Sequence, residues 1–284
     1  MTMEFQSVSF IYNKSSDQPV KALEDVSFQI EKNEFVGLIG HTGSGKSTLV
    51  QHMNGLNLPF SGDVLIDGQS TKDKNVHLRD LRAKVGLVFQ YPEDQLFEET
   101  VYKDIAFGPK NIGLSGEELD KRVKESMEAV GLDFDEFKNR SPFELSGGQK
   151  RRVAIAGVLA LKPSYLVLDE PTAGLDPRGR KLILETIHDL YENQEGLSVV
   201  LVTHSMEDIA SYAQRLLVID RGRLVMDGSP KEIFCQEKDL EEIGLSIPQV
   251  TKFMKALAKK GYNVDSCALT VEEALASIRQ VIKK

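Results

Sequence analysis

The residues best suited to chemistry form a glycine-rich segment between an apolar run and the start of a predicted helix. The segment reads Gly40-His41-Thr42-Gly43-Ser44-Gly45-Lys46-Ser47-Thr48. Its glycines permit backbone angles that other residues rarely adopt, so successive N–H groups can converge on one anion. Lys46 adds a positive charge, Ser47 a hydroxyl ligand for Mg²⁺, and the helix its positive end. The spacing predicts a nucleoside triphosphate site; the alternative is a glycine-rich turn that contains a lysine by chance.

Two carboxylates follow a second apolar run, Tyr165 to Leu168. They are Asp169 and Glu170, and desolvating such charges is costly unless they have a partner. A Mg²⁺ ion held by Asp169 and Ser47 would be that partner, and Glu170 would then polarise a water molecule against the γ-phosphate as general base. The alternative role, capping the next helix, suits Asp176-Pro177 better.

Two further polar residues also follow apolar runs. Gln90 comes after Val85 to Phe89, and His204 comes just after Ser198 to Val202. A glutamine amide oxygen can bind Mg²⁺ or the attacking water, although one glutamine is unremarkable alone. An isolated histidine is more often a surface or core residue. Ligands of open α/β sheets gather at the carboxyl ends of strands. We therefore expect Gln90 and His204 to join the glycine-rich segment and the acid pair at one sheet edge.

A second small-residue motif and one aromatic residue complete the candidate site. Leu145-Ser146-Gly147-Gly148-Gln149 precedes a predicted helix from about Lys150 to Leu161, and a serine with paired glycines before a helix is again suited to an anion. Tyr12 ends the first predicted strand and could stack on an adenine base. In isolation an aromatic residue in a strand more often belongs to the core.

Hydrophobic periodicity predicts an α/β chain with a helical insertion and a helical end. Strand patterns cover residues 4–12, 22–30, 34–39, 63–66, 85–89, 165–169, 198–202 and a hairpin over 215–227. Residues 100–130 have helical spacing, with a capping box at Ser115 to Glu118. Ser229-Pro230-Lys231-Glu232 marks a boundary to further amphipathic helices. The last fifty or so residues are too few for a large core, so we expect them to pack on this chain or on a partner.

Composition narrows the class of protein. With 43 acidic and 35 basic residues in 284, a net charge of −8 argues against general attraction to nucleic acid. The longest strongly apolar run, Val153 to Leu161, is too short to span a bilayer, and the first residues lack an export signal. Cys235 and Cys267 lie far apart in the sequence, which favours free thiols in a reducing compartment. These features predict a cytoplasmic protein.

In this order the motifs resemble those of ABC transporter ATPases over residues 1 to about 228. The resemblance implies a P-loop NTPase fold with a RecA-like core, an antiparallel β subdomain and a helical subdomain at about 91–160. It implies ATP and Mg²⁺ as ligands, with two such domains facing head to tail. By matching positions it assigns the Mg²⁺ ligands (Ser47, Gln90, Asp169), the catalytic group (Gln90, Glu170, His204), the adenine-stacking Tyr12, and residues that act in trans on the partner's ATP (Ser146, Gly147, Gly148, Gln149, Asp176).

A closer resemblance lies in Tyr91 to Val101, Ile105 to Pro109 and Gln149 to Ala160. These segments resemble the ATPases of energy-coupling factor transporters, in particular the second of their two ATPase subunits. The implied function is ATP-driven uptake of vitamins, other micronutrients, cobalt or nickel. The implied partners are a second ATPase subunit, a transmembrane coupling protein and interchangeable substrate-binding membrane proteins. Residues 229–284 would form a dimerisation domain, and the chain would be peripheral on the cytoplasmic side of the cell membrane.

Two other kinds of P-loop protein deserve comparison. ABC proteins that act on ribosomes or in DNA repair usually carry two cassettes or long coiled-coil insertions, and this chain has neither. A P-loop kinase or GTPase would not explain Ser146 to Gln149, and no base-reading N-K-x-D motif follows the P-loop. The transporter ATPase is therefore the favoured interpretation, although the transported compound cannot be named from this subunit.

Overall fold

A computed structural model describes residues 2–13, 18–74 and 76–282, which form two β-sheets surrounded by helices. The strands are β1 (Met3–Tyr12), β2 (Val20–Ile30), β3 (Phe35–Ile39), β4 (Ser61–Ile66), β5 (Gln69–Ser70), β6 (Val85–Val88), β7 (Tyr165–Asp169), β8 (Ser198–Val202), β9 (Arg215–Asp220) and β10 (Arg223–Gly228). The α/β class predicted from the hydrophobic pattern is confirmed, and most strand bounds agree within two residues.

The helices follow the pattern that the sequence predicts for an α/β core with a helical insertion. They are α1 (Lys46–Met53), α2 (Leu78–Lys84), α3 (Val101–Asn111), α4 (Gly116–Ala129), α5 (Phe134–Phe137), α6 (Gly147–Leu159), α7 (Pro177–Asn193), α8 (Met206–Tyr212), α9 (Pro230–Cys235), α10 (Glu237–Glu242), α11 (Gln249–Lys259) and α12 (Val271–Ile282), with short 3₁₀ helices at Pro92–Gln95 and Pro142–Glu144. None of the helices in the described ranges is long and apolar enough to cross a membrane.

The larger sheet has the order β10-β9-β3-β8-β7-β6, and all its neighbouring pairs except β10-β9 are parallel. Strands β3, β6, β7 and β8 are buried along their whole length. Continuous apolar runs suit this position because helices cover both faces of a parallel sheet. The register places Val36 beside Val200 and Leu168 beside Leu201. The four strands that precede the candidate site are therefore consecutive neighbours.

The smaller sheet, in the order β2-β1-β4-β5, is antiparallel. Its apolar face shares one hydrophobic core with one face of the parallel sheet, and Phe5 and Phe28 stack at 4.5 Å within it. Stacked aromatic rings add packing energy beyond the area that they bury. This sheet matches the antiparallel β subdomain expected beside a RecA-like core.

The inserted helices α3, α4 and α6 form a separate layer with a continuous apolar interior, including Val101, Val123 and Val153. Two local predictions here were wrong. Helix α6 begins at Gly147, because the Ser146 side chain caps it and Gln149 completes a capping box, so the small-residue motif is the first turn of the helix. Ser115 caps α4 by position only, since its side chain makes no capping hydrogen bond.

The C-terminal helices divide differently from the predicted boundary. The capping box at Ser229 is confirmed, but α9 and α10 pack into the main core through Ile233, Phe234 and Leu240. A separate apolar cluster starts only beyond Ile247 and centres on three buried residues, namely Met254, Ala268 and Ala274. Several large apolar side chains of α11 and α12 remain exposed, including Phe253, Leu275 and Ile282. A dimerisation domain over 229–284 remains a prediction.

The expectation of two free thiols was wrong. Cys235, at the end of α9, and Cys267, before α12, form a disulfide with their Cα atoms 5.5 Å apart. The sequence separation of 32 residues concealed this pairing, which arises because the turn between α11 and α12 returns the chain to α9. The bond fastens the C-terminal helices to the main core.

This pairing predicts that protein purified without reductant shows no reactive thiol in denaturant, and two after reduction, by mass spectrometry of alkylated protein. Closing a 32-residue loop stabilises the folded C-terminal helices by about 3–4 kcal/mol through loss of chain entropy in the unfolded state. The double substitution Cys235→Ser, Cys267→Ser should make the C-terminal helices as sensitive to proteolysis as they are in reduced wild-type protein. Two alkylated cysteines before reduction would contradict the pairing.

Candidate active site

The glycine-rich segment connects β3 to α1 with the backbone that the sequence predicts. Gly43 and Gly45 have φ angles of 80° and 110°, a region that favours glycine. A Cβ atom at Gly45 would come within 2.6 Å of the Ala22 carbonyl oxygen. One at Gly40 would come within 2.3 Å of the Ile219 carbonyl oxygen. The glycines at 40 and 45 thus let the loop lie directly against neighbouring backbone.

The ammonium group of Lys46 is folded into this loop. Its Nζ donates hydrogen bonds to the carbonyl oxygens of Gly40 at 2.7 Å and His41 at 3.0 Å, and the residue is only 7% exposed. Burial lowers the pKa of Lys46, while the charges of Glu170 and Asp169 oppose that shift. A cation that is held by carbonyls and faces two carboxylates can exchange these partners for phosphate oxygens.

A further residue braces the loop, and the sequence analysis did not single it out. Asp220 ends β9, and its Oδ1 lies 2.9 Å from His41 Nε2. In the same turn, the Gly222 N–H donates to the Ser44 carbonyl oxygen at 2.8 Å. The signal that could have revealed Asp220 is the one used for Asp169, namely an acid at the carboxyl end of a buried strand.

Tyr12 lies at the edge of the smaller sheet beside α1. Its hydroxyl is 3.2 Å from Thr48 Oγ1 and donates to Gln51 Oε1 at 3.4 Å, and the residue is 36% exposed. A cavity of about 260 Å³ lies between Tyr12 and Gly43 to Thr48. The ring therefore stands next to the phosphate-binding loop, where an aromatic platform for a base is needed.

The residues expected to hold Mg²⁺ come together in part. Burial raises the pKa of Asp169, and a hydrogen bond with the Ser47 side chain opposes that shift, so the two oxygen groups are adjacent. Hydroxyl and carboxylate oxygens are ligands that Mg²⁺ prefers, so this pair fits the ion. Gln90 follows the end of β6 at the same sheet edge, but its side chain is exposed. In the described ranges, no hydrogen bond or ion pair links Gln90 to Ser47 or Asp169.

Glu170 and His204 face each other across neighbouring strands. Glu170 Oε1 lies 3.2 Å from His204 Nε2, which is ion-pair distance without hydrogen-bond geometry. Burial, followed by the charge of Asp169, raises the pKa of Glu170, while burial and Lys46 lower the pKa of His204. Both shifts favour the uncharged forms. A cavity of about 380 Å³ opens beside this pair and is also lined by Gly174 and Arg180.

The second small-residue motif lies apart from this cluster. Ser146 and Gln149 bond to each other within the cap of α6, and across the described part of the chain no hydrogen bond or ion pair joins them to the P-loop. Asp176 caps α7 by accepting from the N–H groups of Arg178 and Gly179. The structure therefore unites the P-loop, Asp169, Glu170 and His204, and leaves the residues predicted to act in trans outside that group.

The comparison with protein families agrees with this geometry. Residues 23–173, which run from β2 through the P-loop and α6 to the turn after Glu170, match the family model described as ABC transporter. The relatives of the chain then narrow the assignment. "Energy-coupling factor transporter ATP-binding protein EcfA2" of Clostridium perfringens is 51% identical over 283 residues, which cover 100% of this chain and 99% of the relative.

This chain is an ABC transporter ATPase of the energy-coupling factor family. The protein of the same name from Clostridioides difficile is 52% identical, covering 100% of this chain and 98% of the relative. The one from Streptococcus agalactiae serotype Ia is 48% identical, covering 98% and 99%. ATP is therefore the nucleotide of the P-loop, and the kinase and GTPase interpretations are excluded.

Solved structures of ABC ATPases have the same fold. CbiO1 of Clostridium perfringens, described as part of the ABC transporter complex cbiONQ, superposes with a TM-score of 0.75 at 34% identity over 89% of this chain and 98% of that one. The ATP-binding cassette MJ0796, a dimer bound to ADP and phosphate after hydrolysis, has a TM-score of 0.71 at 31% identity, covering 80% and 98%.

The position of Glu170 predicts a pH dependence of ATP hydrolysis. A general base must be deprotonated, so activity is present above its pKa and is lost as the pH falls through it. Because burial and Asp169 raise this pKa in the ligand-free chain, the acid limb of kcat/KM, which reports ionisation of the free enzyme, should have its midpoint above the ordinary value of 4.5. Steady-state kcat/KM against pH, with circular dichroism to verify folding, tests this. A midpoint at or below 4.5 in folded protein would argue against Glu170 as the base.

Proposed function

We propose that this chain is one of two ATPase subunits of an energy-coupling factor importer. In this role it hydrolyses ATP to drive uptake of vitamins, other micronutrients, cobalt or nickel through membrane partners. The observation that carries the proposal is the division of the site, in which the P-loop, Asp169, Glu170 and His204 lie together while Ser146 to Gln149 lie elsewhere. Such a divided site requires a second ATPase domain to complete it.

The residues of this chain have distinct parts in the proposed reaction. Glu170 accepts a proton from the water that attacks the γ-phosphate, and His204, 3.2 Å away, orients that carboxylate and the water. Lys46 and the loop N–H groups neutralise the phosphate oxygens. Ser47, Asp169 and Gln90 would hold Mg²⁺, which neutralises phosphate charge when bound. ATP and water yield ADP and phosphate. The γ-phosphate then no longer bridges the two ATPase domains, and its loss favours their opening.

The glycines at the start of α6 support action in trans. Apart from its chain neighbours and its own helix backbone, a Cβ atom at Gly147 or Gly148 would meet no atom of the described residues within 4 Å, so packing gives no reason for glycine at either position. Ser146 and Gly147 are exposed. A glycine that the fold does not require is explained if another molecule, here ATP on the partner ATPase, approaches the backbone closely.

Alanine substitution at Gly147 tests this inference. We expect Gly147→Ala to leave folding stability unchanged or slightly raised, because alanine favours a helix by roughly 0.5–1 kcal/mol, while ATP turnover in the paired enzyme falls at least about tenfold. Gly157→Ala, in the same helix and with its nearest contact at 3.9 Å, is the matched control and should retain turnover. Equal turnover in both variants would count against the trans role.

An exposed aromatic surface adjoins Gln90 and is suited to a membrane partner. Phe97 and Phe107 are exposed and meet edge to face at 4.9 Å, and Tyr91 is exposed nearby in sequence. The Asp104 carboxylate accepts from the N–H groups of Phe97 and Glu98, which fixes the loop that presents this surface. Clustered exposed aromatic residues are typical of an interface. The proposed partner is the transmembrane coupling protein, and the proposed location is the cytoplasmic face of the cell membrane.

Affinity purification tests the assembly and its contacts. A tagged copy from detergent-solubilised native membranes should recover a second ATPase subunit, one polytopic coupling protein and small substrate-binding membrane proteins, identified by mass spectrometry. The double substitution Phe97→Ala, Phe107→Ala should reduce recovery of the coupling protein at least about fivefold, since aromatic anchors dominate interfaces. Phe60→Ala, at an exposed aromatic residue outside both this surface and the C-terminal helices, is the control. Ribosomal or repair proteins in place of membrane proteins would overturn the transport function.

The C-terminal helices are proposed to strengthen pairing of the two ATPases. Phe253 and Leu275 leave apolar surface exposed on α11 and α12, and residues beyond Ile247 form their own small cluster. A contact with the partner subunit would cover that surface. Because α9 and α10 belong to the main core, a dimerisation element would begin beyond Ile247 and not at Ser229.

A further inference from the structure

Helix α6 carries a buried arginine one turn beyond Ser146. Arg151 is 1% exposed and is among the largest fully buried side chains of the described chain. Its Nε donates to Glu93 Oε2 at 2.9 Å and its Nη2 to Glu93 Oε1 at 2.5 Å, which is a bidentate ion pair. Glu93 belongs to the 3₁₀ helix Pro92–Gln95 and lies three residues after Gln90. One end of the guanidinium is therefore fixed to the segment that follows Gln90.

The other end of the same guanidinium reaches the turn after Glu170. Arg151 Nη1 donates to the carbonyl oxygens of Pro171 at 3.0 Å and Ala173 at 2.8 Å. The Ala173 N–H in turn donates to the Glu170 carbonyl oxygen at 3.1 Å. One side chain of α6 thus contacts two other segments, which lie 58 and 20 residues away from it in sequence.

A second contact joins two of these segments independently. A Cβ atom at Gly174 would lie 3.6 Å from Cε1 of Tyr91, so the Tyr91 ring packs against the turn that follows Glu170. Glu170 has a φ angle of 53°, which a non-glycine residue adopts only where its surroundings hold it there. Arg151 supplies part of that restraint, since its two carbonyl contacts begin at the next residue.

Loss of any partner of the buried Arg151 guanidinium would be costly in free energy. A guanidinium has five N–H donors, and four of those in Arg151 are used by the two Glu93 oxygens and the two carbonyls. Removing one partner of a buried pair is strongly destabilising because the other charge remains unpaired. Lysine cannot replace this geometry, since its single nitrogen cannot hold a carboxylate in bidentate fashion and also reach both carbonyls.

We propose that Arg151 is a positioning residue for ATP hydrolysis, which fixes the turn carrying Glu170 to the Gln90 segment and to the helix that begins with Ser146. Arg151 touches neither ATP nor water. The effect of Arg151 on the position of Glu170 is inferred from contacts within this chain alone. The link between the two ATP sites rests in addition on the proposed trans action of Ser146 to Gln149. In that setting, closure of Ser146 to Gln149 on the partner's ATP adjusts the position of Glu170 in this chain's own site.

The substitution Arg151→Lys separates positioning from binding. We expect kcat for ATP hydrolysis by the paired ATPases to fall about 10- to 100-fold, because a displacement of 1 Å at a reacting group has this order of effect. KM for ATP, the dissociation constant for a fluorescent ATP analogue and the number of nucleotide sites should stay within about twofold of wild type, since the P-loop is not altered. In a Glu170→Gln background, Arg151→Lys should lower the residual rate no further, since both changes act through the same group.

The matched control is Arg122→Lys. Arg122 also bonds one carboxylate, that of Glu118, and one carbonyl, that of Ala160 at the opposite end of the segment containing α6. Within the described residues, no hydrogen bond joins Arg122 to the turn after Glu170. The variant Arg122→Lys should therefore retain the wild-type kcat. Glu93→Gln, which keeps the shape but removes the charge of the partner, should lower kcat without altering KM and lower it little further when combined with Arg151→Lys.

Two results would overturn the proposal. One is a kcat for Arg151→Lys no lower than that of Arg122→Lys. The other is a fall in the number of nucleotide-binding sites per protein that equals the fall in kcat. That result would mean that part of the variant is unfolded, and not that Glu170 is misplaced. Neither outcome depends on membrane partners, because ATP binding is measured on the chain alone and hydrolysis on the chain paired with a second ATPase. Failure of the transport function would therefore leave this test intact.

Discussion

The parallel pairing of β3, β8, β7 and β6 is the constraint on which the active site depends. Each strand is followed at its carboxyl end by one or two functional groups, and hydrogen-bonded register fixes the relative positions of the strand ends. This is why Lys46, Asp169, Glu170 and His204, which are up to 158 residues apart, share one electrostatic environment. The strands can be buried on both faces because they are mostly apolar. Since burying polar groups between the layers would be costly, those groups lie at the edge of the sheet.

Burial at this edge sets the chemistry as well as the geometry. It shifts the pKa of Glu170 upward and those of Lys46 and His204 downward, so each group is less charged than it would be in water. The charges of these groups are only partly compensated by one another. A bound polyphosphate and its cation would supply the missing opposite charges. The P-loop follows the same logic, since Lys46 is held by loop carbonyls that phosphate oxygens can replace. A site of this kind is arranged for its ligand before the ligand arrives.

The second layer of organisation is the connection between this edge and the inserted helices. Those helices pack on the core through apolar contacts, which are tolerant of small rotations, but Arg151 joins them to the turn after Glu170 through directional hydrogen bonds. The exposed aromatic residues Phe97 and Phe107 belong to the same insertion. A contact made there, or at Ser146 to Gln149, is thus mechanically connected to the turn after Glu170, the proposed general base. The His41–Asp220 pair braces the opposite side of the P-loop.

The sequence alone determined the α/β class, the strands of the core, the P-loop and the acid pair, because these features arise from local backbone preferences and from uninterrupted apolar runs. It also predicted that Gln90 and His204 belong at the same sheet edge. Only the tertiary structure decided the Cys235–Cys267 bond, the packing of α9 into the main core and the partners of Arg151. These join residues 20 to 58 positions apart, whose proximity depends on how the chain returns on itself. No local pattern encodes such a return, so nothing in the sequence around Arg151 indicated its role.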